Sequence, residues 1–129
     1  MRLLLDTSVL IDVLRGRQGR RQMLADLVHG GHTLATSALN IAEVYAGLRP
    51  AEEAQTSAFL DTLECYELTA AAGKLAGGLK RDWARKGRTL TLADTIIAAI
   101  AMEHRCTLMT DNRRDFPMRE IEHYPLGKQ

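Results

Sequence analysis

Four acidic residues stand among apolar or small neighbours instead of in charged runs: Asp6 follows Leu3-Leu4-Leu5, Glu43 lies between Ala42 and Val44, Asp94 shortly precedes Ile96-Ile97, and Asp115 directly precedes Phe116. Each has an ordinary structural reading. Asp6 suits an Asx turn or a helix cap, Thr91-Leu92-Ala93-Asp94 has capping-box spacing, Glu43 could face solvent from a helix, and Asp115 sits in a turn, where Asp is common. As a set they point to chemistry. Carboxylates gathered in one cleft without a counterion repel and raise one another's pKa, a conflict that divalent cations relieve. Oxygen-only donors without His or Cys select a hard ion, Mg²⁺ or Mn²⁺. Such ions bind phosphates and make a nucleophile of water, so the natural reaction is phosphodiester hydrolysis. Thr7, Ser8 and Asn112 are placed to orient ligands or water from behind.

The elements that must position these groups read as alternating strands and helices. Leu3 to Leu5 is a short buried strand that ends in Asp6, at the carboxyl edge where open α/β sheets bind ligands. A helix through Val9, Leu10, Val13 and Leu14 follows, then a loop over 15–19 and a second helix from Arg20 to His29 with Met23, Leu24, Leu27 and Val28 on one face. Thr33 to Thr36 is β-prone, and Ser37 caps a helix carrying Ile41, Val44, Tyr45 and Leu48. Pro50 opens another helix, with Phe59, Leu60 and Leu63 turned inward, and Cys65 to Leu68 is a brief strand. Thr69 caps a helix in which Leu75, Leu79 and Trp83 recur; Thr91 caps an apolar helix running to about His104. Thr107 to Thr110 is a strand, 111–116 a polar turn, and Ile121 to Tyr124 an edge strand. This alternation predicts a single α/β domain over residues 1–129, a three-layer α/β/α sandwich on a parallel sheet of about four or five strands.

Composition adds boundaries. With 46% apolar and 26% charged residues the chain is globular, and its net charge of +1 decides little. Local segregation matters more: Arg15, Arg17, Arg20 and Arg21 form one basic cluster, Lys80, Arg81, Arg85, Lys86 and Arg88 a second, and Arg113 with Arg114 a third. They are read as contacts for a phosphate-rich partner. Cys65 and Cys106 lack zinc spacing and are read as small buried residues of a reduced, cytoplasmic protein. No window has the roughly 18 apolar residues of a membrane span.

At this point the sequence resembles the PIN-domain ribonucleases, and among them the VapC-type toxins of toxin–antitoxin pairs. The residues that carry the resemblance are Leu5-Asp6-Thr7-Ser8, Asn40-Ile41-Ala42-Glu43-Val44, the segment from Leu92-Ala93-Asp94 to Ala98-Ala99, and the segment from Leu108-Met109-Thr110 to Asp115-Phe116, in that order along nearly the whole chain. The resemblance implies a Mg²⁺- or Mn²⁺-dependent endoribonuclease acting on structured RNA, tRNA or ribosomal RNA. It also implies inhibition by a small cognate VapB-type antitoxin, and a homodimer. It matches Asp6, Glu43, Asp94 and Asp115 to the acidic quartet, with Asp6 and Asp94 as direct metal ligands. Asp111 is an extra acid in the last motif, an alternate ligand in place of Asp115 or beside it. An antitoxin arginine inserted among the carboxylates would displace the ion, since a guanidinium pairs with them bidentately. Dimerisation is placed at the helices around Phe59 and Trp83.

Two other classes remain open on the sequence. A phosphatase with Asp6 as nucleophile, as in haloacid-dehalogenase-like enzymes, wants a second Asp two positions on, where this chain has Ser8. A non-catalytic module would bind a metal or a basic partner through the acidic cluster and cut nothing.

Overall fold

The structure, a computed structural model, describes residues 1–127. Five parallel strands form one sheet: β1 (Arg2–Leu5), β2 (Thr33–Ser37), β3 (Glu64–Tyr66), β4 (Thr107–Met109) and β5 (Glu122–His123), in the spatial order β3-β2-β1-β4-β5. Among the described residues the α-helices are α1 (Thr7–Leu14), α2 (Arg20–His29), α3 (Ala38–Ala46), α4 (Glu53–Leu60), α5 (Ala70–Arg85) and α6 (Leu92–Glu103).

Alternation along β1 assigns the layers. Leu3 and Leu5 point to one face, into a core with Val9, Leu10, Leu24, Val44, Leu60 and Met109, and so pack beneath α1, α2 and α4. Leu4 points to the other face, where Ala35, Leu108 and Phe116 join Ala72 and Ala76 of α5 and Ile97 to Ala101 of α6. Both faces are thus covered, as a parallel sheet requires, and the strands are continuously apolar for that reason. β1 pairs with β2 on one side and β4 on the other, with Leu4 opposite Ala35 and Leu108. The chain leaves β1 toward β2 and β3, then crosses back to β4 and β5. The β1/β4 boundary is therefore the topological switch point, and its carboxyl edge is the crevice such sheets offer to ligands.

Ser37, Thr69 and Thr91 cap α3, α5 and α6 as expected, each hydroxyl accepting a backbone N–H three residues on. Several local expectations are corrected. Pro50 starts a 3₁₀ turn, Pro50–Glu52, and α4 begins only at Glu53. Leu75 is 40% exposed, and the buried stripe of α5 is Ala72 and Ala76. The small side chains let α5 lie close along α6, whose own facing residues include alanines. Val28 and Tyr45 also face outward. Cys65 is exposed on the edge strand, whereas Cys106 is buried. Phe59 and Trp83 are partly buried, packed against the cores on opposite faces of the sheet. Among the described residues no helix is long and apolar enough to cross a membrane.

Candidate active site

Asp6 occupies the N-cap position of α1, yet its side chain makes no capping hydrogen bond. Its carboxylate is claimed by longer-range partners. The Asn40 side-chain amide donates to Oδ1 at 3.1 Å and the Thr110 hydroxyl to Oδ2 at 2.7 Å. The Asp6 backbone N–H donates to the Met109 carbonyl at 3.0 Å, which fixes the ends of β1 and β4 side by side. Asp6 is only 6% exposed, with one donor on each oxygen.

Glu43 is reached through the same asparagine. Asn40 donates its other amide hydrogen to the Thr7 hydroxyl at 3.0 Å, and Thr7 in turn donates to Glu43 Oε1 at 2.8 Å. Ser37 completes the chain: its Oγ accepts the Asn40 backbone N–H and donates to the Asn40 side-chain oxygen. Since both Asn40 amide hydrogens are used, the Thr7 proton must point away from Asn40 and toward Glu43, which holds the glutamate as an acceptor. Ser37, Asn40 and Glu43 stand three apart on one side of α3, so a fully buried asparagine and an exposed glutamate belong to one polar chain.

Asp94 lies in the first turn of α6, its N–H bonded to the capping Thr91 hydroxyl at 3.1 Å. Burial pushes its carboxyl above the usual range; the Thr91 hydroxyl pulls the other way, and the negative charges of Asp115, Asp6 and Glu43 raise it further. Asp115 ends a 3₁₀ turn, Arg113–Asp115, and is exposed. The four carboxylates thus share one field. Among the described residues, none of them enters an ion pair, and no three acidic, His or Cys side chains stand together as a ready-made metal cage. An all-oxygen donor set that lacks a cation suits a hard ion that keeps most of its water and needs only one or two carboxylates.

The remaining sequence candidates have separate positions. Asp111 accepts a 2.8 Å bond from Arg20 Nη2, and its N–H lies 3.5 Å from the Ser8 hydroxyl. Asn112 donates its backbone N–H to Thr110 Oγ1 at 3.0 Å. The first basic cluster is corrected: Arg20 is 3% exposed and paired with acids, and Arg21 donates to the Val13 and Leu14 carbonyls, so neither is a free phosphate contact. In the second, Lys80 donates to the Leu90 carbonyl and Lys86 sits over the Trp83 ring, while Arg88 donates to the Arg114 carbonyl and ties the two basic loops together. An apolar cavity of about 540 Å³ lined by Leu24, Val28, Phe59 and Leu63 lies apart from all four acids.

Sequence reasoning assigned no role of their own to Asn40 or Thr110, and it read Arg20 only as one of a cluster of phosphate contacts. The spacing Ser37, Asn40, Glu43 was a usable signal, and so was Thr110 one residue beyond a strand expected beside β1; nothing local marks Arg20 as buried.

Comparison with known proteins shows the family of the chain. Residues 3–122 match the family model of the PIN domain. The chain is 34% identical over 115 residues to Ribonuclease VapC19 of Mycobacterium tuberculosis, covering 89% of this chain and 92% of the relative. It is 33% identical over 118 residues to Ribonuclease VapC10 of the same species, covering 92% and 88%. Similar folds include VapBC2 of Rickettsia felis bound to a DNA fragment from its promoter (TM-score 0.85, 22% identity, 96% of this chain and 98% of that one). A toxin–antitoxin complex from Klebsiella pneumoniae gives a TM-score of 0.80 at 26% identity, covering 98% and 99%. With Asp6 at the β1/β4 crevice and this match over nearly its whole length, the chain belongs to the PIN-domain family, among its VapC-type ribonucleases.

Proposed function

We propose that the protein is a metal-dependent endoribonuclease, the toxin of a toxin–antitoxin pair, which hydrolyses phosphodiester bonds in structured RNA (tRNA or ribosomal RNA) at Asp6, Glu43, Asp94 and Asp115. The observation that carries this reading is the convergence of three other carboxylates on the half-buried Asp94. Asp6 and Asp94 would hold Mg²⁺ or Mn²⁺, with Glu43 and Asp115 completing the site. When bound, such an ion supplies an activated water and neutralises charge on the phosphate. The protein's own part is positional. Asn40 and Thr110 each occupy one Asp6 oxygen and so fix the plane of that carboxylate, and the Thr7 hydroxyl orients Glu43 by donating to its Oε1. Arg113 and Arg114, exposed beside Asp115, are placed to meet the RNA backbone.

One amide and one hydroxyl, each bonded to an oxygen of the nearly buried Asp6, count against the phosphatase alternative, in which such an oxygen must attack. A VapB-type antitoxin is the partner of this reading: an arginine of it inserted among the acids would take the place of the ion. A homodimer is the assembly proposed.

The test is Asp6→Asn. An asparagine can turn its oxygen to the Asn40 amide and its own amide to the Thr110 hydroxyl, which can accept, so the fold should persist. RNA cleavage in Mn²⁺ is expected to fall by more than about 100-fold, beyond what the loss of an outer hydrogen-bond partner costs. Cleavage at the wild-type rate would remove Asp6 from the site.

A further inference from the structure

Among the described residues Arg20 is the one buried cation, 3% exposed at the start of α2. A guanidinium withdrawn from water is retained only where acceptors meet its fixed fork of donors. Here Nη2 bonds Asp111 Oδ1 at 2.8 Å, whereas Nε stands 3.7 Å from Asp12 Oδ2 and has no hydrogen-bond partner. Its strong contact is therefore Asp111, 91 positions away in the loop between β4 and Asp115. That loop is pinned along its length: the Thr110 hydroxyl holds Asp6, Asn112 N–H holds Thr110, Asp115 N–H bonds the Asn112 carbonyl at 3.0 Å, and Arg88 holds the Arg114 carbonyl. Arg20 supplies the attachment to α2.

We propose that Arg20 is a positioning residue: by binding Asp111 it fixes the loop from Thr110 to Asp115 against α1 and α2, sets Asp115 relative to Asp94, and keeps the Asp111 carboxylate out of the acidic group. This rests on the metal-dependent nuclease reading above. Without Arg20 the loop bearing Asp115 loses its anchor to α2, and Asp111, whose side chain is already 37% exposed, is free to swing into the cleft as a fifth negative charge.

The test compares the full-length wild type, Arg20→Lys, Asp111→Asn and the double variant. Mn²⁺ binding is read from the electron paramagnetic resonance of free Mn²⁺, and RNA cleavage is followed across a Mn²⁺ series. Each single variant is expected to weaken Mn²⁺ binding and to raise the half-saturating Mn²⁺ for cleavage about tenfold, with cleavage recovering at saturation. The double variant should be no weaker than the weaker single one, since both remove the same contact. A lowered thermal midpoint with an unchanged Mn²⁺ constant would reduce Arg20 to a structural ion pair and overturn the proposal. So would an Asp111→Asn protein that stays inactive at saturating Mn²⁺ while Arg20→Lys recovers, because Asp111 would then be a ligand. A wild type that binds Mn²⁺ but leaves RNA intact overturns the nuclease reading alone, since the Mn²⁺ constants still report on the clamp. A wild type that binds no Mn²⁺ overturns both.

Discussion

Asp94 carries the electrostatic cost of the site. Its folded carboxyl binds a proton more tightly than the unfolded one, whose ordinary value is 3.8. Between that value and the raised one the native state therefore holds the extra proton, and stability falls as pH rises through the folded pKa. Metal-free Asp94→Asn should accordingly have a higher urea midpoint than metal-free wild type at pH 7, and the gap should close toward pH 4. A gap that stays constant with pH would mean that the charge of Asp94 is not what destabilises. The four acids could be picked out of the sequence because apolar neighbours made them conspicuous. What orients them could not, because the partners of Asp6 lie 34 and 104 positions away and hydrogen-bond direction leaves no trace in composition.

At the scale of elements, helix starts were legible because a cap acts within one turn: Ser37, Thr69 and Thr91 each bind an N–H three residues on. The inward face of α5 was not. Leucine spacing nominated Leu75, but a helix pressed close to its neighbour buries its smallest residues, so Ala72 and Ala76 face α6. Ala76→Leu should therefore cost about 1–3 kcal/mol through overpacking, while Leu75→Ala should change stability by less than about 0.5 kcal/mol, both read from urea midpoints. The reverse order would restore the leucine face. Helix α6 links this packing to the site, since the same rod that buries Ile97 and Ile100 presents Asp94 from its first turn.

For the whole molecule, order along the sheet was the part least available from sequence: alternation implies parallel strands but not which strand lies beside β1. The observed order places β4 there and so makes a single crevice from residues at both ends of the chain. The proposed ion, bound at that crevice, would stabilise the native state by mass action, by about 2.7 kcal/mol at a hundredfold excess over the dissociation constant. For a domain of this size the thermal midpoint should rise on the order of 10 °C in saturating Mn²⁺, and Asp6→Asn should abolish the rise. No shift in the wild type would count against a native metal site.

The hydrogen bond from Thr110 to Asp6 spans 104 positions. During synthesis Asp6 leaves the ribosome early, and β1 then has β2 to pair with long before β4 exists. Until β4 and Thr110 emerge, one side of β1 is bare and Asp6 lacks the hydroxyl that fixes it. A chain that has not yet reached β4 can therefore carry Asp6, Glu43 and Asp94 without the hydroxyl that completes the hydrogen bonds of Asp6. The order of the strands thus ties assembly of the crevice to the synthesis of β4.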